Sequence, residues 1–191
     1  MGNRLTKIYT RTGDEGTTGL GDGNRVEKHS LRVEAFGSVD ETNAAIGVVL
    51  AEPDLPSAVV DCLTEVQHDL FDLGAELCLP GHEAISAEFI SRLEKQLDDF
   101  NSDLPALKDF VLPGGGRAGS ACHLARTVCR RAERRVWALR ESEPVNTDGL
   151  KYLNRLSDLL FVIARVLSRN EQGQEVLWKR GRLKQDQSKR G

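Results

Sequence analysis

Apolar residues return every three or four positions along five stretches of this chain, and each stretch is bounded by residues that start or stop helices. The first runs from about Leu31 to Ala51, with Val33, Phe36, Val39, Ile46 and Leu50 apolar, and Pro53 and Pro56 stop it. The second runs from Pro56 to about Cys78, carries Val59, Leu63, Val66, Leu70, Leu73 and Leu77 on one face, and closes at Pro80-Gly81. A third opens at Ser86, a residue suited to an N-cap, and continues through Phe89, Ile90, Leu93, Leu97 and Phe100. Beyond Gly114-Gly115-Gly116 a fourth reaches about Arg140, with Ala121, Leu124, Ala125, Val128, Ala132 and Val136 expected inside. Asn146 or Thr147 would cap a fifth that extends to about Arg169. No alternating strand pattern competes with these stretches and no repeat of about 20–50 residues occurs, so the expected fold is all-α, a five-helix antiparallel bundle with short connections.

The sequence divides into an arm at 1–30, the bundle at 31–178 and a basic tail at 179–191, all within one domain of 191 residues. In the tail, Lys179, Arg180, Arg182, Lys184, Lys189 and Arg190 face Asp186 alone, which reads as a frayed end or as a weak contact for an anionic partner. With 39% hydrophobic residues, 29% charged residues and a net charge of -3, a wholly disordered chain is excluded and nothing draws the whole molecule to nucleic acid. Any anion site must therefore be local. The longest apolar run, Leu159 to Ala164, falls far short of the roughly 18 residues that span a bilayer, and Met1 to Lys7 lacks the core of a secretory signal. A soluble, cytoplasmic protein is expected, with no membrane partner. Cys62, Cys78, Cys122 and Cys129 have no C-x-x-C spacing and sit among apolar residues, so they read as reduced core thiols.

Candidate chemistry gathers in a few places. The arm from Tyr9 to Gly23 packs glycines, hydroxyls and Arg11 into fifteen positions, a composition that suits phosphate: glycines admit backbone N–H groups close to an oxyanion, and threonines donate to it or ligate Mg²⁺. A plain surface loop explains the same composition. The fourth helix concentrates Arg117, Arg126, Arg130, Arg131, Arg134 and Arg135 around a single acid, Glu133. Arg126, Arg130 and Arg134 follow i, i+4, i+8, where like charges repel unless an anion neutralises them; the alternative is a solvated face. On the fifth helix Asn154 and Asp158 share a side, as a core polar pair or as groups for a ribose hydroxyl or an adenine edge. Phe110 and Leu112 precede the glycine turn, presented on it or plugging the bundle end. Glu65 and His68 have the spacing of a di-iron ligand pair, but His29, His82 and His123 have no glutamate three residues before them, so that site fails on ligand count.

Five motifs in order resemble the ATP:cob(I)alamin adenosyltransferases of the PduO type: Tyr9 to Gly16, Glu34 to Glu41, Phe110 to Gly115, Cys129 to Arg134, and Tyr152 to Asp158. The resemblance covers roughly residues 6–179. It implies a ferritin-like five-helix bundle assembled as a homotrimer, with active sites between subunits. The implied reaction moves the 5′-deoxyadenosyl group of ATP to the cobalt of cob(I)alamin, giving adenosylcobalamin and triphosphate. Position by position, Thr10, Arg11, Thr12, Gly13, Thr18, Gly19 and Lys28 resemble the triphosphate cradle. Arg130, Arg131, Glu133, Arg134 and Asn154 resemble ATP contacts from the neighbouring subunit, and Asp40 with Arg126 a pair that bridges subunits. Phe110 resembles the phenylalanine below the corrin ring that keeps the lower ligand off the metal, so Arg130, Glu133, Asn154 and Phe110 form the implied catalytic set, with Mg²⁺ entering through the ATP phosphates.

The implied chemistry also explains why no Ser–His–Asp set is evident: cobalt(I) is the nucleophile, and the protein has to align C5′ and stabilise the departing triphosphate. The family often has Lys where Arg11 and Glu15 stand; Arg11 keeps the charge, whereas Glu15 reverses it and is given no phosphate role. A cob(II)alamin reductase and an adenosylcobalamin-dependent enzyme are the implied partners. A non-catalytic corrinoid carrier or an ATP-sensing trimer of the same fold is the alternative, against which Arg130, Glu133, Asn154 and Phe110 all stand intact.

Overall fold

A computed structural model describes residues 9–180 of the chain. Two short antiparallel strands, β1 (Thr17–Gly19) and β2 (Arg25–Glu27), precede α1 (Leu31–Leu50), α2 (Ser57–Cys78), α3 (Ala87–Ser102), α4 (Arg117–Arg140) and α5 (Thr147–Gln172). Helix α1 packs on α2 and α4, α5 on α4 and α3, which makes the α1–α4–α5 group the centre of the bundle. The helix bounds follow the sequence reading closely. Asn146 accepts from the Asp148 N–H, so the expected cap of α5 forms, and Ser30, which the sequence pattern does not single out, accepts from the Val33 N–H at the start of α1. Ser86 precedes α3 without a side-chain capping bond.

Two helices keep most of the expected inner residues but differ at the margins of the buried face. In α1, Ala35, Val39, Ile46 and Val49 are fully buried, whereas Val33, Phe36 and Leu50 are only partly so. The buried sector is wide because α1 has a helix on either side, and it includes Ser38, Thr42 and Asn43. The Ser38 and Thr42 hydroxyls donate to carbonyls four residues back, and Asn43 and Gln67 donate to each other's backbone carbonyls across α1 and α2 at 3.1 and 3.2 Å, while Asn43 Oδ1 is buried without a hydrogen bond. In α4, Leu124 is 60% exposed rather than inside, and Cys122 and Cys129 take the inner positions. Burial pushes the Cys62 thiol up to about 12 and raises Cys122 and Cys129 as well, while Cys78 is half-buried. All four are free thiols.

The β1–β2 hairpin in the arm carries no alternating pattern in the sequence. Three-residue strands are too short for alternation to register, and this pair is held by a side chain rather than by an apolar face. The Arg25 guanidinium donates to the Thr12 carbonyl at 2.6 Å and to the Thr17 carbonyl and hydroxyl at 3.1 and 2.8 Å. The Gly21 N–H then donates to the Cys78 carbonyl at 2.9 Å, docking the arm on the end of α2.

At the opposite end, α5 stops at Gly173 in a left-handed conformation, and the chain folds back. Val111 and Leu177 form an antiparallel bridge, with Leu112 N–H donating to the Val176 carbonyl at 2.8 Å and Trp178 N–H to the Phe110 carbonyl at 2.7 Å. Glu171 caps α4 from α5: its carboxylate accepts from the Arg117 and Ala118 N–H groups at 2.7 and 2.8 Å. Gly116, which precedes α4, has φ 98 and ψ -179, and a Cβ there would collide with the Glu171 carboxylate. Gly116→Ala should therefore lose both the glycine conformation and the cap, roughly 3 kcal/mol, and lower Tm by about 5–10 °C in a thermal melt. An unchanged Tm would show that the turn tolerates a side chain.

Candidate active site

The outer side of α4 presents Arg130 and Arg134, both exposed, with Arg134 Nη1 donating to the Arg130 carbonyl at 2.9 Å. Neighbouring arginines are held by acids of α1: Arg131 pairs with Glu41, and Arg135 with Glu34 at 3.3 Å. Arg130 has no such carboxylate among the described residues. Asn154 Nδ2 donates to Glu133 Oε1 at 3.1 Å, so α5 and α4 meet through a polar pair at the surface. Asn154 and Asp158 are both exposed, which removes the core-pair reading, and Asp158 accepts instead from Arg155 at 3.1 Å.

Two concave regions adjoin this stripe. One, about 660 Å³, lies among α3, α4 and α5 and is lined by Glu94, Asp98, Arg126, Arg130, Arg155 and Phe161. The other, about 630 Å³, is lined by Phe110, Val111 and His123, and it shares Leu107, Arg126 and Phe161 with the first. Arg130 and Phe110 thus border adjoining spaces, the second richer in apolar side chains but also edged by Lys108, Asp109 and Arg126. Phe110 is 73% exposed, standing edge-on to Trp178 with ring centroids 6.1 Å apart, so it is presented rather than used as a plug.

Between them sit Arg126 and His123. Burial, reinforced by the like charge of Arg130, holds the Arg126 guanidinium below its usual value, and its Nε is buried without a hydrogen bond. Asp40, the expected partner, is exposed on α1 of the same chain. The His123 ring is buried beside Phe161 with neither nitrogen bonded, and burial, then Arg126, push its pKa down to about 4. The imidazole is therefore neutral at pH 7. Unfolding restores an ordinary pKa near 6.5, so the unfolded chain binds the proton more readily between about pH 6.5 and 4, and stability falls through that window. The cost at pH 4 is up to about 3 kcal/mol. Urea unfolding of wild type and His123→Gln at pH 7 and 4.5 should show the variant losing less on acidification; equal losses would refute burial as the neutral form.

The arm residues come together at the hairpin. Arg11 has φ 61, a left-handed conformation uncommon outside glycine, and the Thr10 and Thr12 hydroxyls lie 2.8 Å apart. A Cβ on Gly13 would sit 3.2 Å from Lys28 Nζ, so the ammonium is drawn over the Gly13 backbone, and the Lys28 N–H donates to the Gly16 carbonyl at 2.8 Å. Thr18 and Gly19 lie on β1, and Glu15 points to solvent. Among the described residues, no hydrogen bond or ion pair joins Arg11, Thr12, Gly13, Thr18 or Lys28 to Arg130, Glu133 or Asn154.

A sequence model of the family described as cobalamin adenosyltransferase matches residues 8–167. The chain is 56% identical to a cobalamin adenosyltransferase of Cupriavidus metallidurans over 95% of this chain and 99% of that one. It belongs to the cobalamin adenosyltransferase family. A corrinoid adenosyltransferase of Mycobacterium leprae is 48% identical, covering 95% of this chain and all of its own length, 100%. A variant of the PduO-type ATP:corrinoid adenosyltransferase from Lactobacillus reuteri, complexed with cobalamin and ATP, superposes with a TM-score of 0.83 at 35% identity, over 91% of this chain and 97% of that one. ATP-dependent adenosylation of cobalamin is the activity that membership gives this enzyme, with ATP and the corrinoid as its substrates.

Several features of the adenosyltransferase escaped sequence reading. Glu41 and Glu34 anchor Arg131 and Arg135, a pairing that spans α1 and α4 and has no local pattern. Arg25, which builds the hairpin, looks like any loop cation in sequence. The return of residues 173–178 to Phe110 follows from no periodicity, although Gly173 marks its start. Among the described residues, no helix is long and apolar enough to cross a membrane. Arg182, Lys184, Lys189 and Arg190 of the basic tail lie outside the described residues.

Proposed function

We propose that this adenosyltransferase joins C5′ of ATP to the cobalt of cob(I)alamin and releases triphosphate, at sites assembled between the subunits of a homotrimer. The observation that carries this reading is Arg130, exposed and free of any acid among the described residues, beside the Asn154–Glu133 bond and bordering the space that adjoins Phe110. Arg130, Arg131 and Arg134 meet the phosphates, while Asn154, oriented by Glu133, takes the adenosine sugar. Thr10, Arg11, Thr12, Gly13, Thr18, Gly19 and Lys28 come from the arm of the next subunit in this reading, with the Lys28 ammonium already held beside Gly13. The chain supplies alignment and countercharge; cobalt(I) itself provides the electron pair that displaces triphosphate from C5′. Among the described residues no group of three His, Cys, Asp or Glu could cage an ion, and the paired Thr10 and Thr12 hydroxyls suit Mg²⁺ carried on the phosphates. That ion supplies charge neutralisation.

Asp40 and Arg126 bridge subunits in this reading, which gives the unpartnered Arg126 Nε and the exposed Asp40 carboxylate their partners. Asp40→Ala should shift sedimentation from trimer toward smaller species and lower activity about tenfold or more. Unaltered sedimentation and activity would refute the bridge. A cytoplasmic location, which free thiols suit, a cob(II)alamin reductase upstream and an adenosylcobalamin-dependent enzyme downstream complete the proposal.

The direct test is anaerobic incubation of the protein with ATP, Mg²⁺ and chemically reduced cob(I)alamin. Adenosylcobalamin with one triphosphate per turnover is expected. Product accompanied by pyrophosphate and phosphate from the outset, with no triphosphate, would overturn the assigned leaving group.

A further inference from the structure

Glu175 is the most enclosed carboxylate near the Phe110 end of the bundle, and three separate elements converge on it or on its partners. Its Oε1 accepts from Arg165 Nε at 2.8 Å and its Oε2 from Arg169 Nη1 at 2.6 Å, with 7% of the Glu175 side chain exposed. Arg165, itself 3% exposed, also donates from Nη2 to the Pro105 carbonyl at 2.6 Å, on the loop that leads to Phe110. Burial would raise the Glu175 carboxyl, but the bonds from Arg165 and Arg169 hold it below the usual carboxylate range, so it stays ionised. Beyond Glu175 the chain pairs with Phe110, Val111 and Leu112 through the Leu112 and Trp178 N–H bonds and the Val111–Leu177 bridge. The family match ends at residue 167, before any of these return residues.

We infer that Glu175, clasped by Arg165 and Arg169, is a positioning residue: it fixes both approaches to Phe110, the 105–110 loop through Arg165 and the 176–178 segment through the chain itself, and thereby sets where the Phe110 ring meets the corrinoid. Glu175 touches no substrate in this assignment. Phe110 is 73% exposed and rests on Trp178, so packing against the bundle alone does not fix its ring. The only backbone bonds that hold it among the described residues run to residues 176–178, whose own anchor is the Glu175 clasp. The corrinoid role of Phe110 rests on the function proposed above; the clasp itself does not.

The experiment uses the full chain and two variants, Glu175→Gln and Arg169→Gln. In the first, the amide can still accept from Arg165 but turns an N–H toward Arg169; in the second, a half-exposed cation is removed and the buried Arg165–Glu175 pair is kept. Amide hydrogen exchange is followed first, with no substrate. Protection at Leu112 and Trp178 should fall roughly 10- to 100-fold in Glu175→Gln, and less in Arg169→Gln, while α1 and α2 remain as protected as in wild type. Unchanged protection at Leu112 and Trp178 in both variants would overturn the clasp. The second measurement is the fraction of ATP-bound protein that holds cob(II)alamin in the four-coordinate form, read by its electron paramagnetic resonance signal. That fraction should fall several-fold in the variants, and turnover from cob(II)alamin with a reductant should fall more than turnover from cob(I)alamin. Loosened exchange with an unchanged four-coordinate fraction would overturn the positioning role. If wild type itself yields no four-coordinate signal, the corrinoid role of Phe110 fails and the positioning role with it, while the exchange result still judges the clasp.

Discussion

Replacing Arg130 with alanine is expected to lower adenosylation turnover roughly 10²–10³-fold while the bundle remains folded. The size follows from where the charge sits. Departure of triphosphate concentrates negative charge at the oxygen leaving C5′, and a charge-assisted bond from a guanidinium is worth about 1.5–3 kcal/mol, more where water is excluded. Arg131 cannot substitute at full strength, because Glu41 already neutralises it, and Arg135 is likewise engaged by Glu34. Arg134 is close, yet its Nη1 is committed to the Arg130 carbonyl, a backbone atom that survives the substitution. Stability should hardly change, since the Arg130 side chain is exposed and forms no ion pair among the described residues. Steady-state rates from cob(I)alamin at saturating ATP, with a thermal melt alongside, decide the matter: wild-type turnover in a folded variant would remove Arg130 from the phosphate site.

The second large effect should come from Phe110→Ala, and its signature is selectivity rather than overall loss. Starting from cob(II)alamin and a reductant, the rate should fall by about 10²-fold or more; starting from cob(I)alamin, the loss should be far smaller. Cobalt(II) keeps a lower axial ligand that makes it harder to reduce, and an apolar ring in that place excludes both the ligand and water while offering the metal no donor atom. Cobalt(I) has already shed the ligand, so the ring has less left to do. The geometry suits this division, because Phe110 lines a space with Val111, Phe161 and neutral His123 that does not include Arg130. Equal losses from both starting materials would mean that Phe110 serves corrinoid binding in general.

Much of the fold was legible because five strongly periodic stretches had clear stops, and Pro53, Pro80-Gly81 and the glycine run at 114–116 mark ends that the helices respect. Errors arose where one helix touches two others. Leu124 belongs to the apolar pattern of α4 yet faces outward, and Arg32, buried at the head of α1, is invisible to any hydrophobic count because its counter-charge, Glu143, and the Leu77 carbonyl that accepts from it are remote in sequence. The same limit applies to the candidate site. Local spacing exposes the Arg126–Arg130–Arg134 row and the Asn154–Asp158 step. It does not say that Asn154 bonds to Glu133, that Arg131 is neutralised, or that Gly116 owes its identity to Glu171 on the last turn of α5. Those relations are made by packing between elements, and a linear pattern records only the elements.

The three deeply buried thiols have a bearing on the metal itself. Cobalt in its lower oxidation states is a soft centre, and thiolate is the softest ligand a protein offers. Cys62, Cys122 and Cys129 are enclosed in the core, with burial pushing each thiol far toward its protonated form, and Cys122 and Cys129 have carbonyls to donate to. None of the three can present sulfur to a corrinoid lying outside the bundle. Only Cys78, half-buried at the end of α2, is less enclosed, so three of the four thiols are withheld from any metal that approaches from outside.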